Sequence, residues 1–155
     1  MKNFYAYLAG FLDADGSIYC RLKPNQTYKY DFQVAPTVVF FQNKKAEKGL
    51  LKLKQQLGKG YLRYRNDGII EFTIGDRSSI HYLLIKTLPF LIFKKKQAKL
   101  MIKILDFSKK VKSAKDFVKL AQLIDQFGTL NYSKKRTILA PVVRSHLKSK
   151  GVLTP

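Results

Sequence analysis

A single cysteine, Cys20, stands in a chain of 155 residues. That excludes an intrachain disulfide and any cysteine-rich zinc site. Its alternation with core residues makes it a small hydrophobe. Histidine is almost as scarce: His81 and His146 have no partner at metal-ligand spacing and read as surface or core filling. No apolar run reaches the roughly eighteen residues that a membrane-spanning helix needs. The opening Met-Lys-Asn-Phe-Tyr does not continue as a signal peptide, because Asp13 and Asp15 interrupt the apolar stretch. No linker is rich in Gly or Ser, so residues 1–155 read as one domain, frayed from about residue 149 onward. Acid is the most informative shortage: 10 Asp and Glu face 30 Lys and Arg, a net charge of +20. So large an imbalance costs self-repulsion and suits a polyanionic partner, nucleic acid before any other. A basic ribosomal or membrane-surface protein is the plainer alternative.

What the chain does have is periodicity. Asn3 is placed to cap a first helix running to about Asp13 and ended by Gly16. From Ser17 to Lys23 residues alternate, and Pro24-Asn-Gln-Thr27 reads as a turn. A second strand follows from Tyr28 to about Phe41, with a bend or an edge expected at Pro36. Lys44–Leu57 has helical spacing, with Leu50, Leu53 and Leu57 inward. A second hairpin turns at Asn66-Asp-Gly68. Helices are expected from Asp76 or Ser78 to Pro89, from Lys94 to Phe107, from the Ser113–Asp116 capping box, and from Ile138 to Lys148. The predicted order is αββαββαααα, a mixed α/β chain of the α+β class. Its tyrosines and phenylalanines mostly fit core periodicity.

Residues 8–16 carry the chemistry: Leu-Ala-Gly-Phe-Leu-Asp-Ala-Asp-Gly. Small residues on an apolar helix let a second helix approach closely. Two acids at that helix's C-terminal end face the negative pole of its dipole. Folding alone gains nothing from acid there, whereas a bound cation would stabilise it; Mg²⁺ is typically held by one or two carboxylates plus substrate phosphate. The nonapeptide resembles the signature of the LAGLIDADG homing endonucleases, with Phe11 and Leu12 where the consensus has Leu-Ile. The resemblance is to the single-motif, intron-encoded branch and runs from about Phe4 to about Thr137.

The resemblance implies an αββαββα fold with a saddle-shaped antiparallel sheet, followed by C-terminal helices. It implies a homodimer that cuts both strands of double-stranded DNA at a pseudo-palindromic site and promotes intron homing. Two copies packed through Leu8, Ala9, Gly10, Leu12 and Asp13 would set one Asp15 against each strand. Asp15 is the implied metal ligand, with the backbone carbonyl of Ala14 as a second; Asp13 either bridges structurally or touches the ion. Mg²⁺ is the implied cofactor, with Mn²⁺ or Ca²⁺ as stand-ins. Gln42 matches a position that orients water, and Lys94 one that stabilises charge near the scissile phosphate. One departure weighs on activity: Ala46 stands where the family usually has Arg or Lys, leaving Lys44, Lys45 or Lys48 to supply that charge.

Both hairpins carry a polar, basic face. The first presents Tyr19, Arg21, Lys23, Gln33 and Thr37, with Asn25, Gln26, Thr27 and Tyr28 in its turn. The second presents Arg63, Arg65, Glu71 and Thr73. A two-stranded ribbon fits the major groove, where Arg and Lys reach guanine, Asn and Gln pair with adenine, and Glu accepts from cytosine. A purely phosphate-binding face would not mix these types. The resemblance adds Lys23, Asn25, Thr27, Tyr28, Gln33, Arg63 and Arg65 as matched contacts. It adds Lys134 and Arg136 as backbone contacts. Ala35 and Val39 replace polar family residues, which implies a different target. Two alternatives stay open: an RNA-binding intron maturase, and a catalytically weak DNA-binding module on the same fold. The compartment stays open between an organelle and a prokaryotic or archaeal cytoplasm.

Overall fold

A computed structural model describes residues 2–133 and 135–154, with nothing described for the side chain of Lys2. The elements follow the predicted order. They are α1 (Lys2–Asp15), β1 (Gly16–Pro24), β2 (Phe32–Asn43), α2 (Glu47–Leu57), β3 (Tyr61–Tyr64), β4 (Ile69–Ile74), α3 (Arg77–Thr87), α4 (Lys95–Ser108), α5 (Ala114–Leu130) and α6 (Ala140–Ser149). Short 3₁₀ turns precede α2 and follow α3. The four strands make one sheet in the order β1-β2-β4-β3, with β2 and β3 both antiparallel to β4. By contact density the chain divides into two compact units: Met1–Ile18 with Pro36–Lys99, and Tyr19–Ala35 with Leu100–Pro155. Among the described residues no helix is long and apolar enough to cross a membrane.

In the first unit, α1 buries Leu8, Ala9 and Leu12 completely. Phe11 packs on Phe40 with ring centroids 5.1 Å apart, and Phe40 stacks on Phe72 at 6.0 Å. Gly16 is demanded by the reversal from α1 into β1. A Cβ there would lie 2.6 Å from the Leu12 side chain and 2.8 Å from its carbonyl oxygen. Two boundaries differ from the sequence reading. The helix begins at Lys2, so Asn3 is inside it rather than its cap, and it continues through Ala14 to Asp15. At Pro36 the expected edge is what the strand shows: β2 continues through it, but it lies ahead of the β4 register, which begins at Val38↔Ile74, so its missing N–H costs no bond to β4.

In the second unit, α5 opens with the expected capping box, in which Ser113 accepts from the Asp116 N–H and Asp116 from the Ser113 N–H. Tyr30 and Phe32 stack on Phe117 of α5 at 5.0 and 6.4 Å. The start of α6, at Leu139, has no side-chain cap of its own. Asp125 of α5 replaces it by accepting the Ala140 N–H at 2.9 Å. Burial pushes the Asp125 carboxyl above the usual range. Residues 28–31 form turns and a bend instead of extending β2, because Asp31 takes a positive φ of 63°.

Candidate active site and nucleic-acid interface

The last turn of α1 separates its two acids. Asp13 reaches the segment after α3, where its carboxylate accepts the backbone N–H groups of Ile92 (2.6 Å), Phe93 (3.2 Å) and Lys94 (2.9 Å). The Lys94 ammonium donates back to the Asp13 main-chain oxygen. Asp13 is therefore an anchor that places Lys94 at the carboxyl end of α1. Asp15, two residues on, is exposed, and its carboxylate has no hydrogen-bond or ion-pair partner among the described residues. Gln42, next to last in β2, lies opposite Ile70, with its side chain likewise unengaged among the described residues. It lines a groove of about 550 Å³ together with Tyr7, Gly10, Phe11, Ala46 and Gly49.

The first hairpin keeps its polar face available. Arg21 and Lys23 are exposed, Tyr19, Gln33 and Thr37 half-exposed, and none of these side chains has a hydrogen-bond or ion-pair partner among the described residues. The tip is more ordered than its sequence suggests. The Asn25 Oδ1 accepts from the Thr27 N–H (3.0 Å) and hydroxyl (2.7 Å). Bidentate pairing with adenine needs both ends of the carboxamide, and this turn already uses the oxygen end of Asn25. Tyr28 is exposed.

The second hairpin is mostly turned on itself. Glu71, directly opposite Arg63 in the register, lies 3.5 Å from both Arg63 and Arg65, and Arg65 also binds Asp67. The Glu71 side chain is 15% exposed. Its expected role as an acceptor for cytosine is replaced by that of a counter-ion aligning two arginines. Thr73 is corrected outright. It is 7% exposed, flanked across the sheet by Val39 and Tyr61, and too deep to reach a base.

The matching family model, LAGLIDADG endonuclease, covers residues 8–107. The chain belongs to the LAGLIDADG endonuclease family. It is 37% identical over 149 residues to the DNA endonuclease I-CreI of Chlamydomonas reinhardtii, covering 96% of this chain and 91% of that protein. It is 40% identical over 150 residues to the DNA endonuclease I-CvuI of Chlorella vulgaris, covering 95% and 91%. The crystal structure of I-CvuI in complex with its target in the presence of calcium superposes with a TM-score of 0.91 at 37% identity, over 99% of this chain and 98% of that one. The archaeal intron-encoded I-Vdi141I, complexed with DNA, shares the fold at a TM-score of 0.84 and 18% identity, over 99% and 100%.

Three further expectations for this LAGLIDADG chain change. Leu8, Ala9 and Leu12 are fully buried within the chain, so they cannot form an interface with a second copy. The outward stripe of α1 across the motif instead includes Tyr7, Gly10 and Ala14, with Phe11 half-exposed, because a helix shows one stripe outward and this one turns Gly10 rather than Ala9 to solvent. Arg136 does not point outward for a phosphate. Its guanidinium donates to the carbonyls of Cys20 (2.8 Å) and Ile124 (3.3 Å) and fastens α5 to β1. Lys134 lies outside the described residues. Finally, the tyrosines are less buried than their spacing suggests: Tyr7, Tyr28, Tyr61, Tyr64, Tyr82 and Tyr132 are all exposed.

Sequence reasoning missed one cluster. Asp31 accepts from Lys150 (2.7 Å) and hydrogen-bonds His146 (2.9 Å). The available signal was the spacing of His146 and Lys150, one helical turn apart.

Proposed function

We propose that this chain is a site-specific, homodimeric homing endonuclease that hydrolyses double-stranded DNA with a divalent cation. The observation that carries the reading is the division of labour at the end of α1: Asp13 is fully engaged within the protein and Asp15 is left open. The relatives support it, being named DNA endonucleases. The family match crosses from the first compact unit into the second, which supports reading residues 1–155 as one working domain.

The donor set fits a hard cation. Asp15 offers a carboxylate, and Ala14 a carbonyl in the last helical turn, where carbonyls lack intrahelical partners. No group of three or more His, Cys, Asp or Glu among the described residues could hold a metal ion. The remaining ligands then fall to water and DNA phosphate, the mixture Mg²⁺ favours. Once bound, the ion supplies positive charge for the phosphate oxygens and a more acidic water. Gln42 is suited to orient that water by hydrogen bonding. Lys94, fixed by Asp13, adds positive charge at the same helix end. Arg21, Lys23, Gln33 and Thr37 supply the polar face that docks on a groove.

Asp15→Asn tests the reading. Binding to the target in Ca²⁺ is expected to persist and cutting in Mg²⁺ to disappear; continued cutting would refute the role of Asp15. The dimer rests on the outward stripe of α1. A Cβ at Gly10 meets nothing within 4 Å among the described residues, so Gly10→Leu fits the lone chain. Sedimentation is expected to show weakened self-association for that variant, and unchanged assembly would remove Gly10 from the interface. Ala46 favours a second reading, a DNA-binding module that cuts weakly. It is exposed beside Lys44, Lys45 and Lys48, which are exposed too. Incubation with Mg²⁺ and a randomised-site plasmid library separates the two: binding without ends would favour the module.

A further inference from the structure

We infer that Asp31 is a positioning residue that locks the tip of the first hairpin onto α6 and thereby sets the sequence discrimination of that hairpin. The inference rests on the proposal that residues of this hairpin read DNA. Three observations converge on it. Residue 31 closes the tip from its own backbone: its N–H donates to the Tyr28 carbonyl at 2.9 Å, and its carbonyl accepts from the Asn25 N–H at 2.7 Å. Its φ of 63° is one that Asp and Asn tolerate better than most residues. Its side chain, 14% exposed, leaves the hairpin and ends between Lys150 and His146 of the α6 terminal turn. The neighbours reinforce the anchor, with Tyr30 stacked on Phe117 and the Phe32 ring edge-on to His146 at 5.3 Å. The Lys150 ammonium, then the His146 ring, hold the Asp31 carboxyl below its usual range. Asn25, Thr27 and Tyr28 therefore sit on a loop closed at one end by Asp31. The register they present depends on a carboxylate that touches no base.

Electrostatics alone predicts the opposite sign from a lock, which makes the inference testable. Asp31→Asn removes a negative charge from a DNA-binding chain and keeps the left-handed backbone accessible. A bystander acid, once removed, leaves specific binding unchanged or tighter. A lock predicts that non-specific affinity holds or rises while the ratio of specific to non-specific affinity falls about tenfold, the loss expected when one base-reading contact is misplaced. The experiment measures that ratio in Ca²⁺ for the parent, Asp31→Asn, Lys150→Met, the double variant and Lys150→Arg. It also measures amide hydrogen exchange at residues 25–31 without DNA. Expected are faster exchange and lost discrimination in both single variants, little further loss in the double, and recovery in Lys150→Arg. Parent-like exchange and an unchanged ratio in Asp31→Asn would overturn the lock. A parent protein with no sequence preference, but with exchange that Asp31→Asn accelerates, would overturn the DNA-reading proposal and leave the mechanical anchor standing.

Discussion

The two hairpins look alike in sequence, each alternating apolar residues with Arg, Thr and other polar types, yet the fold treats them differently. On β1–β2, Arg21, Lys23, Gln33 and Thr37 keep their polar groups unengaged among the described residues. On β3–β4, Arg63 and Arg65 converge on Glu71, and Thr73 is buried. The difference teaches that a polar strand face is a binding surface only to the extent that its groups are not already satisfied by each other. The same contrast recurs within one helical turn of α1, where Asp13 caps three N–H groups and Asp15 caps none.

The contrast is most exposed to refutation at the two acids. Asp15→Asn is expected to reduce cleavage by about 10³-fold, the equivalent of several kcal/mol of lost transition-state stabilisation, without changing the denaturation midpoint. Asp13→Ala is expected to do the reverse first: losing the carboxylate that accepts three backbone N–H groups costs about 1–3 kcal/mol of folding stability, the worth of hydrogen bonds to a charged group, read in denaturant unfolding. If the two substitutions gave the same pattern, the division between anchor and ligand would fail.

Next in size is the pairing of Arg21→Ala with Arg63→Ala. The first is expected to cost about 1–3 kcal/mol of specific binding and to lower the salt slope by about one. The second is expected to cost clearly less, since Arg63 already shares Glu71. Equal losses in titrations over a range of salt would show the two faces to be equivalent. Glu71→Gln sharpens the same point. By releasing two arginines, it is expected to raise non-specific DNA affinity about two- to threefold, a change that disappears at high salt.

The smallest effect concerns an engaged acid that caps a helix. Asp76 accepts from the Ser79 N–H and the Ser78 hydroxyl at the start of α3, both at 2.8 Å. The Ser79 side chain, then the Ser79 N–H and the Ser78 hydroxyl, hold its carboxyl down to about 2 by hydrogen bonding. A carboxyl depressed on folding contributes stability above its unfolded value of about 4, and that contribution is lost as pH falls toward 2. Asp76→Ala is expected to flatten acid unfolding in that window while leaving DNA binding at neutral pH unchanged.

Much of the fold was legible because it depends on near neighbours. Alternation marked four strands, helical spacing marked six helices, and Asn66-Asp-Gly68 and Ser113–Asp116 marked a turn and a cap. The errors fell where one end of an element is decided elsewhere. Asn3 has cap chemistry but lies inside α1, and Tyr28–Asp31 alternate like a strand but are bent away at Asp31. The stripe that α1 shows outward was misread, because apolar residues on both sides of Gly10 satisfy a helical pattern and only packing against the rest of the first unit decides which side is buried.

The sequence by itself determined the order of elements, the strong positive charge and the nonapeptide that names the family, since each is a matter of residue type at short spacing. Only the tertiary structure decided which polar groups remain available. Asp13 is occupied by N–H groups 79 to 81 positions away, Arg136 by a carbonyl 116 away and Asp31 by an ammonium 119 away. A hydrogen bond acts over about 3 Å and is blind to separation along the chain, so no local pattern could have marked Asp13 as engaged and Asp15 as open.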